Sequence, residues 1–383
     1  MPSAGRFGAS NAAASDLVLV GGGHAHVHVL AAFAAKAVPG LRLTLVTRDL
    51  HTPYSGLLPG VVAGHYAARD AHIDLRVLAR RAGARLVHGS AAGLDRQSRR
   101  IMVDAGDPVA YDIVSLDIGI APSLGDIDGA AAHAIPVKPI GAFLARFDRL
   151  LAQARRPGGP RRIVVVGGGA GGVELLLSVH ARLFAETGGP LDFALVTRGE
   201  ILATHNGRVR DAFRRILAER GIALHERSAA AAVRPGAVVT RDGRIIPADA
   251  VLVTTGAAGQ PWLAGAGLVL HDGFVAVGPT LQSLGDPDVF AAGDCAALVE
   301  TPREKAGVYA VRAGPPLARN LALHARGQAP LAWRPQSRHL ALITTGERYA
   351  VASRGAFKAE GAWAWWLKDR IDRRWMARYR ARD

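Results

Sequence analysis

The stretch that decides the fold is Ile163-Val-Val-Val-Gly-Gly-Gly-Ala170, where a β-branched apolar run breaks into glycines. The same pattern stands earlier in the chain as Leu17-Val-Leu-Val-Gly-Gly-Gly-His24. In both places a helical pattern follows, which is typical of the first strand, turn and helix of a nucleotide-binding β-α-β unit. The chain therefore carries two copies of such a unit, and this internal repeat is its strongest signal.

The second copy contains the full Gly-x-Gly-x-x-Gly spacing, with Gly167, Gly169 and Gly172 at its three positions. The first glycine makes the turn, the second lets the backbone approach a pyrophosphate, and the third lets the helix pack on the strand. The amides at the start of the helix then hold the phosphates. The spacing predicts a dinucleotide site in the second copy.

The first copy departs from this spacing, because Gly21 and Gly23 are present but His26 holds the third position. A side chain there requires either wider packing between helix and strand or a specific contact of the imidazole. His24 and His28 lie one helical turn apart, but no Asp, Glu or Cys stands beside them to complete a metal shell. We therefore predict histidines at a phosphate-binding turn and no metal site.

The acidic residue that would bind ribose hydroxyls at the end of the second strand is missing from both copies. Thr47-Arg48 and Thr197-Arg198 stand there instead. Arg198 could pair with the 2′-phosphate of NADPH, since a guanidinium binds phosphate in bidentate fashion. An exposed arginine without that role is an equal alternative, so NADH and NADPH both stay open.

Three further segments indicate how the chain is organised. A third strand ends in glycine in each half, in residues 111–119 and 248–256, and the glycine- and arginine-rich residues 155–162 are typical of a hinge. The strand in residues 288–294 indicates a return of the chain to the first domain. We predict an α/β protein with two Rossmann-like dinucleotide-binding domains, the first interrupted by the second, and a short C-terminal module.

Composition excludes several classes of protein. With 383 residues and 49% hydrophobic residues the chain is neither disordered nor a disulfide-stapled mini-protein, and its one cysteine, Cys295, excludes a redox-active pair within the chain. The formal charge is +15, but only five of the 47 basic residues are lysines, and we do not expect nucleic acid as a partner. No secretory signal or spanning segment is apparent, which predicts a cytoplasmic protein.

Taken together, the chain resembles the FAD-dependent pyridine nucleotide-disulfide oxidoreductase superfamily. Within it, the chain is most similar to type II NADH dehydrogenases, in particular the branch associated with or fused to selenide, water dikinase. The segments that carry the narrower resemblance are residues 21–26, 53–60, 137–139 and 305–312. The kinase half is absent from the sequence, so the link to selenium metabolism rests on kinship alone.

The resemblance implies four parts of the chain. Residues 1–155 and 273–330 would form the FAD-binding domain, residues 156–272 the NAD(P)H-binding domain, and residues 331–383 a C-terminal interface or membrane-contact module. The expected FAD-binding residues are Gly21, Gly23, His26, Thr47, Arg48, Tyr54, Ser55, Gly56, Gly119, Gly293 and Asp294. The expected NAD(P)H-binding residues are Gly167, Gly169, Gly172, Arg198 and Gly256.

The resemblance also suggests catalytic residues. Glu174 matches a glutamate near the nicotinamide in related dehydrogenases, although a glutamate in the first helical turn is also favoured by the helix dipole alone. Lys138 and Lys305 would place an ammonium near the flavin pyrimidine end and stabilise negative charge on the reduced flavin, or they are surface lysines. Tyr54 either stacks near the isoalloxazine or fills core.

The last fifty residues contain four of the six tryptophans, interleaved with Arg and Lys. A basic helix rich in Trp is typical of an element that lies on anionic lipid and opens a path for quinone. An aromatic stripe packed on the protein itself or on a dimer partner is the alternative.

The leading interpretation is an FAD-dependent NAD(P)H dehydrogenase, in which hydride passes from NAD(P)H to FAD and electrons leave to a quinone-like or small soluble acceptor without a redox disulfide. One alternative is a flavoprotein that reduces a selenium or sulfur species in the selenophosphate pathway. Another is a non-catalytic, nucleotide-binding redox sensor. Peripheral membrane contact, a homodimer and association with selenide, water dikinase stay open.

Overall fold

The computed structural model describes residues 14–104, 106–124 and 126–380. The strands of these residues are β1 Ser15–Val20, β2 Leu41–Thr47, β3 His51–Pro53, β4 His72–Asp74, β5 Arg85–His88, β6 Ala91–Asp95, β7 Arg100–Val103, β8 Val109–Ala110, β9 Ile113–Leu116, β10 Ala121–Pro122, β11 Ala134–Pro136, β12 Arg162–Val166, β13 Asp192–Val196, β14 Ala223–His225, β15 Ala230–Arg234, β16 Ala237–Thr240, β17 Ile245–Pro247, β18 Ala250–Val253, β19 Ala257–Ala258, β20 Leu270–His271, β21 Phe274–Val277, β22 Gln282–Ser283, β23 Asp286–Ala291, β24 Ala296–Leu298, β25 Ala341–Thr344, β26 Ala350–Arg354 and β27 Phe357–Gly361.

The α-helices of the same residues are α1 His24–Ala35, α2 Leu58–Val62, α3 Leu75–Arg81, α4 Ala130–His133, α5 Ile140–Ala154, α6 Ala170–Thr187, α7 Gly207–Glu219, α8 Gly307–His324 and α9 Ala362–Ala377. These elements fall into two compact units. Unit 1 comprises the described parts of residues 1–50, 75–119 and 261–334, and unit 2 comprises those of residues 51–74, 120–260 and 335–383.

Unit 1 is built on a sheet of nine strands in the order β20-β21-β22-β23-β9-β1-β2-β5, with β24 paired to β21. Its strands β23, β9, β1, β2 and β5 run parallel to one another. The strands β1 and β9 are buried over most of their length, as apolar runs in a parallel sheet covered on both faces should be. Helix α8 packs closely on α1, because Gly314 has no side chain to keep the two helices apart.

Unit 2 contains a five-stranded parallel sheet in the order β11-β18-β12-β13-β14. Its helices bury apolar stripes against this sheet, as α5 does with Phe143, Phe147 and Leu150. Three-stranded antiparallel sheets, β15-β16-β17 and β25-β26-β27, complete the unit together with α9. The parallel strands of the mixed sheet in unit 1 and the parallel sheet in unit 2 confirm the predicted α/β class with two Rossmann-like halves.

Two general properties of the described residues bear on function. No helix among them is long and apolar enough to cross a bilayer. No group of three or more His, Cys, Asp or Glu side chains among them is arranged to hold a metal ion.

Candidate functional site

The first glycine turn, in unit 1, joins β1 to α1 and lies against the end of β9. Gly21 has a φ of +94°, and a Cβ there would lie 2.3 Å from the carbonyl oxygen of Asp117. A Cβ on Gly23 would lie 2.2 Å from the carboxyl carbon of the same aspartate. Both glycines are therefore required by the close approach of the turn to Asp117.

His26, at the position of the missing third glycine, is fully buried beneath this turn. Its Nδ1 lies 2.7 Å from the carbonyl oxygen of Gly21, and its Nε2 lies 2.9 Å from Oγ of Ser115. Because a carbonyl only accepts, Nδ1 carries the proton and Nε2 accepts from Ser115. Burial lowers the pKa of His26 to about 4, so the imidazole is neutral near pH 7. A side chain at this position was expected to require either wider packing or a specific imidazole contact, and the structure contains the imidazole contact.

Asp117 is a buried residue that the sequence reasoning did not single out. Its Oδ2 accepts hydrogen bonds from the backbone amides of Ala25 at 2.8 Å and His26 at 3.2 Å, in the first turn of α1. Burial raises the pKa of Asp117 to about 7, the two amides oppose this rise, and the negative charge of Asp294 adds to it. The only signal in the sequence was an acidic residue directly after a buried strand.

The remaining residues of unit 1 that were expected to bind FAD lie at the end of β2 and in the turns after β9 and β23. Thr47, the last residue of β2, is buried and donates to the carbonyl oxygen of Asp49, whereas Arg48 is exposed and paired with the Asp49 carboxylate. Gly119 and Gly293 follow β9 and β23, with φ values of +65° and +69°.

The carboxyl ends of β1, β9 and β23 meet at one edge of the sheet, because these strands are parallel. This edge brings Gly21, Gly23, Asp117 and Gly293 together, and a Cβ on Gly293 would lie 2.3 Å from Oδ1 of Asp117. Asp294, next in the chain, is partly buried. In an open parallel sheet such an edge is where ligands bind.

Lys305 and Cys295 also belong to unit 1. The Nζ of Lys305 donates to the carbonyl oxygen of Ala296 at 2.6 Å and lies 3.8 Å from the ring centre of Phe274, and burial lowers its pKa. The Cys295 thiol is fully buried and donates to the carbonyl oxygen of Leu116. Burial raises the pKa of this thiol to about 12, so it remains protonated near pH 7.

The second glycine turn, in unit 2, joins β12 to α6. Gly167 has a φ of +127°, and a Cβ on Gly172 would lie 1.9 Å from the carbonyl oxygen of Gly167. In contrast, no atom lies within 4 Å of the Cβ that Gly169 would carry. The three glycines thus occupy the positions expected of a turn, an open approach and a tight helix contact.

Thr254, which was not predicted, and the predicted residues Gly256, Arg198 and Lys138 lie at the same edge of the sheet. Thr254 follows β18 and donates through its hydroxyl to the carbonyl oxygen of Val166 at 3.1 Å. Gly256 has a φ of +77°, and Arg198 is exposed after β13. Lys138 follows β11 and is partly buried. Each of these residues stands just beyond the carboxyl end of a parallel strand.

Glu174, in the first turns of α6, binds the C-terminal sheet. Its Oε1 accepts from the backbone amide of Thr344 at 2.7 Å and from the Thr344 hydroxyl at 3.0 Å. Burial raises the pKa of Glu174, and the ammonium of Lys368 and the bonds from Thr344 oppose this rise. This contact could not be predicted from the sequence, because it joins residues 170 positions apart.

Tyr54 and Gly56 lie in unit 2, in a group with α9 that we call the Asp372 cluster: Tyr54, Gly56, Lys368, Asp372 and Trp375. The Nζ of Lys368 donates to Asp372 and to the carbonyl oxygen of Gly56, both at 2.7 Å. The Tyr54 hydroxyl donates to Asp372 at 3.0 Å, and its ring stacks on Trp375 at 4.1 Å. Burial lowers the pKa of Lys368, but Asp372 and Glu174 outweigh this and raise it overall. Ser55, between the two, begins a short 3-10 turn.

Helix α9 therefore has two different faces. Trp375 and Met376 are buried, whereas Trp363, Trp366 and Ile371 are 50%, 55% and 48% exposed. Exposed arginines lie beside the exposed apolar residues, at positions 370, 373, 374 and 378. One face of α9 thus packs within unit 2, as one of the two alternatives expected, and the other face is basic, apolar and exposed.

Comparison with known proteins identifies the family. The family described as pyridine nucleotide-disulphide oxidoreductase matches residues 15–324, which is most of the chain. Comparison with curated protein sequences found no match.

Solved structures provide a second comparison. The chain is similar to the sulfide:quinone oxidoreductase from the hyperthermophilic bacterium Aquifex aeolicus, with a TM-score of 0.80 and 17% identity over 94% of this chain and 90% of that one. It is also similar to NDH2 from Plasmodium falciparum in complex with NADH, with a TM-score of 0.78 and 13% identity over 94% and 97% of the two chains. A ferredoxin reductase from Rhodopseudomonas palustris gives a TM-score of 0.73 and 18% identity over 90% of each chain. At these identities the similarity shows a shared fold.

Proposed function

The chain belongs to the pyridine nucleotide-disulphide oxidoreductase family, and we propose that it is a type II-like dehydrogenase that passes electrons from NAD(P)H through FAD to a quinone. Its cofactors, FAD and a pyridine nucleotide, follow from the family. The single observation that carries the proposal is the presence of two glycine turns, each at the carboxyl edge of its own parallel sheet.

The residues of unit 2 fit a pyridine nucleotide. The open space beside Gly169 and the start of the 18-residue helix α6 suit the approach of a pyrophosphate to backbone amides. Arg198 is exposed after β13, at the position where an arginine could bind the 2′-phosphate of NADPH. We propose that this site is lined by Gly167, Gly169, Gly172 and Gly256. Both NADH and NADPH stay open as the nucleotide that binds there.

The residues of unit 1 fit FAD. Gly21, Gly23 and Gly293 leave the sheet edge without side chains, and the partly buried Asp294 is suited to accept from ribityl hydroxyls. We propose that Lys305, which is close enough to Asp294 for the two charges to interact, supplies positive charge near the cofactor. His26, which is buried beneath the turn, would hold the carbonyl group of Gly21 in place through its hydrogen bond.

When bound, the two cofactors supply hydride transfer from the nicotinamide to the flavin. The protein itself supplies no redox disulfide, because the chain has one cysteine and its buried thiol stays protonated. Electrons would therefore pass directly from the flavin to the acceptor. We propose that Glu174 is a positioning residue near the nicotinamide, held in one rotamer by Thr344, and that Lys138 contributes charge at the same edge.

The exposed face of α9 favours a quinone over a soluble acceptor. Trp363, Trp366 and Ile371 present apolar side chains among arginines, which is the composition of a helix lying on anionic lipid. A homodimer through the same face is the competing proposal. Neither Tyr54 nor Trp375 takes part in this surface, because both are committed to the Asp372 cluster.

The test of the reaction is an absorption spectrum of the purified full chain, followed anaerobically on adding NADH and then NADPH. The proposal expects a flavin band that bleaches with one of them and recovers on adding a short-chain quinone. Recovery with a selenium or sulfur species but not with quinone would overturn the choice of acceptor. Flavin that neither nucleotide reduces would favour a redox sensor.

The test of the membrane surface is cosedimentation with vesicles containing anionic lipid. The double variant Trp363→Ser/Trp366→Ser should lose most of this binding. Phe184→Ser serves as the control, because Phe184 is 61% exposed on α6 and lies outside α9. Equal binding of the two variants, or dimer loss in the double variant alone, would contradict the membrane proposal.

A further inference from the structure

Asp117 occupies an unusual position in the first glycine turn. Its carboxylate accepts two amides from the first turn of α1, and these belong to the group of backbone donors that a phosphate uses at a helix start. The side chain is only 3% exposed and stands beside Gly23 and Gly293. An acidic side chain of the protein thus lies where family membership places the diphosphate of FAD.

The second turn lacks this acid. Thr254 is the corresponding residue after the third strand, and its hydroxyl donates to the carbonyl of Val166 instead of accepting from α6. Among the described residues, a carboxylate accepts from the helix amides at the first turn, and none does at the second.

The groups that face Asp117 do not neutralise it. From α1 they are the amides of Ala25 and His26, and from the turn after β23 they are Asp294 and the protonated Cys295. Helix α1 also carries His24, the neutral His26 and His28. Lys305 interacts with Asp294 and Cys295, so its single positive charge offsets at most one of the two acidic side chains. A diphosphate would therefore add its negative charge to a site that already holds two acidic side chains.

We propose that Asp117 couples FAD binding to proton uptake: FAD binds with the Asp117 carboxyl protonated, and ionisation of Asp117 weakens binding. This inference rests on the proposed function, because it assumes FAD in unit 1. Where Asp117 is ionised before binding, one proton moves from solvent to an oxygen of Asp117 for each FAD bound. The protonated carboxyl keeps one oxygen as acceptor for an amide and gains a donor that can face a phosphate oxygen.

The size of the effect follows from proton linkage. Burial raises the pKa of Asp117 to about 7 before the diphosphate arrives, and the diphosphate would raise it further. The affinity for FAD should then fall about tenfold between about pH 6 and about pH 8. Close to one proton should be taken up per FAD at about pH 8, and far less at about pH 6.

The experiment measures FAD binding to the flavin-free full chain by flavin fluorescence across this pH range. Calorimetry in two buffers of different ionisation enthalpy then counts the protons taken up. Asp117→Asn keeps the shape and an acceptor oxygen but cannot ionise, so we expect a dissociation constant independent of pH and no proton uptake. Asp112→Asn, an exposed site just before β9, is the matched control and should behave as the wild type.

The outcomes separate the inference from the proposed function. Wild-type binding that is independent of pH, with no proton uptake, overturns the inference and leaves FAD binding intact. Retention of the full pH dependence in Asp117→Asn also overturns it, and assigns the proton to the histidines of α1. If the wild type binds no FAD at any pH, the proposed function fails and the inference fails with it. Should Asp117→Asn not fold, Asp117→Thr, which introduces the residue type found at position 254 of the second turn, takes its place: loss of proton uptake supports the inference, and retained uptake overturns it.

Discussion

The two glycine turns have nearly the same sequence but are built by different contacts. In the second turn Gly172 allows α6 to approach within contact of Gly167, and Thr254 closes the turn with a neutral hydroxyl. In the first turn a buried imidazole, His26, fills the place of the third glycine and an acid lies on the helix amides. A shared glycine pattern thus gives the two turns similar backbones, while residues that follow neighbouring strands set the charge beside each turn.

The largest expected effect comes from adding one methyl group to the second turn. In Gly172→Ala the new Cβ would meet the carbonyl oxygen of Gly167, which is backbone and cannot move cheaply. We expect NAD(P)H affinity to fall about a hundredfold, measured by quenching of nicotinamide fluorescence. Gly171→Ala is the control, because its Cβ would have no neighbour within 4 Å. Similar losses in both variants would contradict the tight helix contact.

In the first turn, His26→Ala should destabilise the protein by about 2 kcal/mol at about pH 8, since it removes two buried hydrogen bonds. The pKa of His26 is about 4 in the folded protein and 6.5 in a free side chain, so the folded state binds fewer protons in between. Wild-type stability therefore falls as pH drops through this window, and the loss in the variant should shrink towards zero at about pH 5. Urea unfolding at both pH values checks this, and an equal loss at both would refute the neutral imidazole.

The effect of an acid beside a glycine turn can be tested by introducing one into the second turn. Thr254→Asp places a carboxylate beside the second turn, and we expect NAD(P)H to bind about tenfold more weakly at about pH 8 than in the wild type. Thr254→Asn, which is neutral and of the same shape, should lose much less. If the two variants bind equally, charge at this position does not influence phosphate binding.

The smallest expected effect concerns the arginines after the second strands. Arg198→Gln should weaken NADPH about threefold and leave NADH unchanged, because only NADPH carries the 2′-phosphate. Arg48→Gln, at the corresponding place in unit 1, should change neither constant, since Arg48 is paired with Asp49. A loss of NADH affinity in Arg198→Gln would remove the proposed role in choosing the nucleotide.

Much of the fold could be predicted because its signals are local. The apolar runs that end in glycine became β1 and β12, and the glycine- and arginine-rich stretch became the loop between α5 and β12. The roles of the three glycines follow from chain geometry. The structure accordingly has the turn at Gly167, the open approach at Gly169 and the tight helix contact at Gly172.

The contacts that could not be predicted are long-range. Asp117 meets α1 across 92 positions, Glu174 meets Thr344 across 170, and Tyr54 meets Asp372 across 318. No periodicity or spacing within one segment records which distant side chain a buried group will contact. A polar residue at the end of a buried strand, such as Asp117, is the one local sign that such a partner exists.

The most direct test of the account is to follow flavin reduction in the wild type and in Gly172→Ala side by side. We expect both proteins to purify with flavin, and we expect NADH or NADPH to bleach the flavin of the wild type under anaerobic conditions. Gly172→Ala should keep its flavin, but that flavin should not be bleached at the same nucleotide concentration. Chains without flavin, or a variant reduced as readily as the wild type, would contradict the assignment of two separate nucleotide sites.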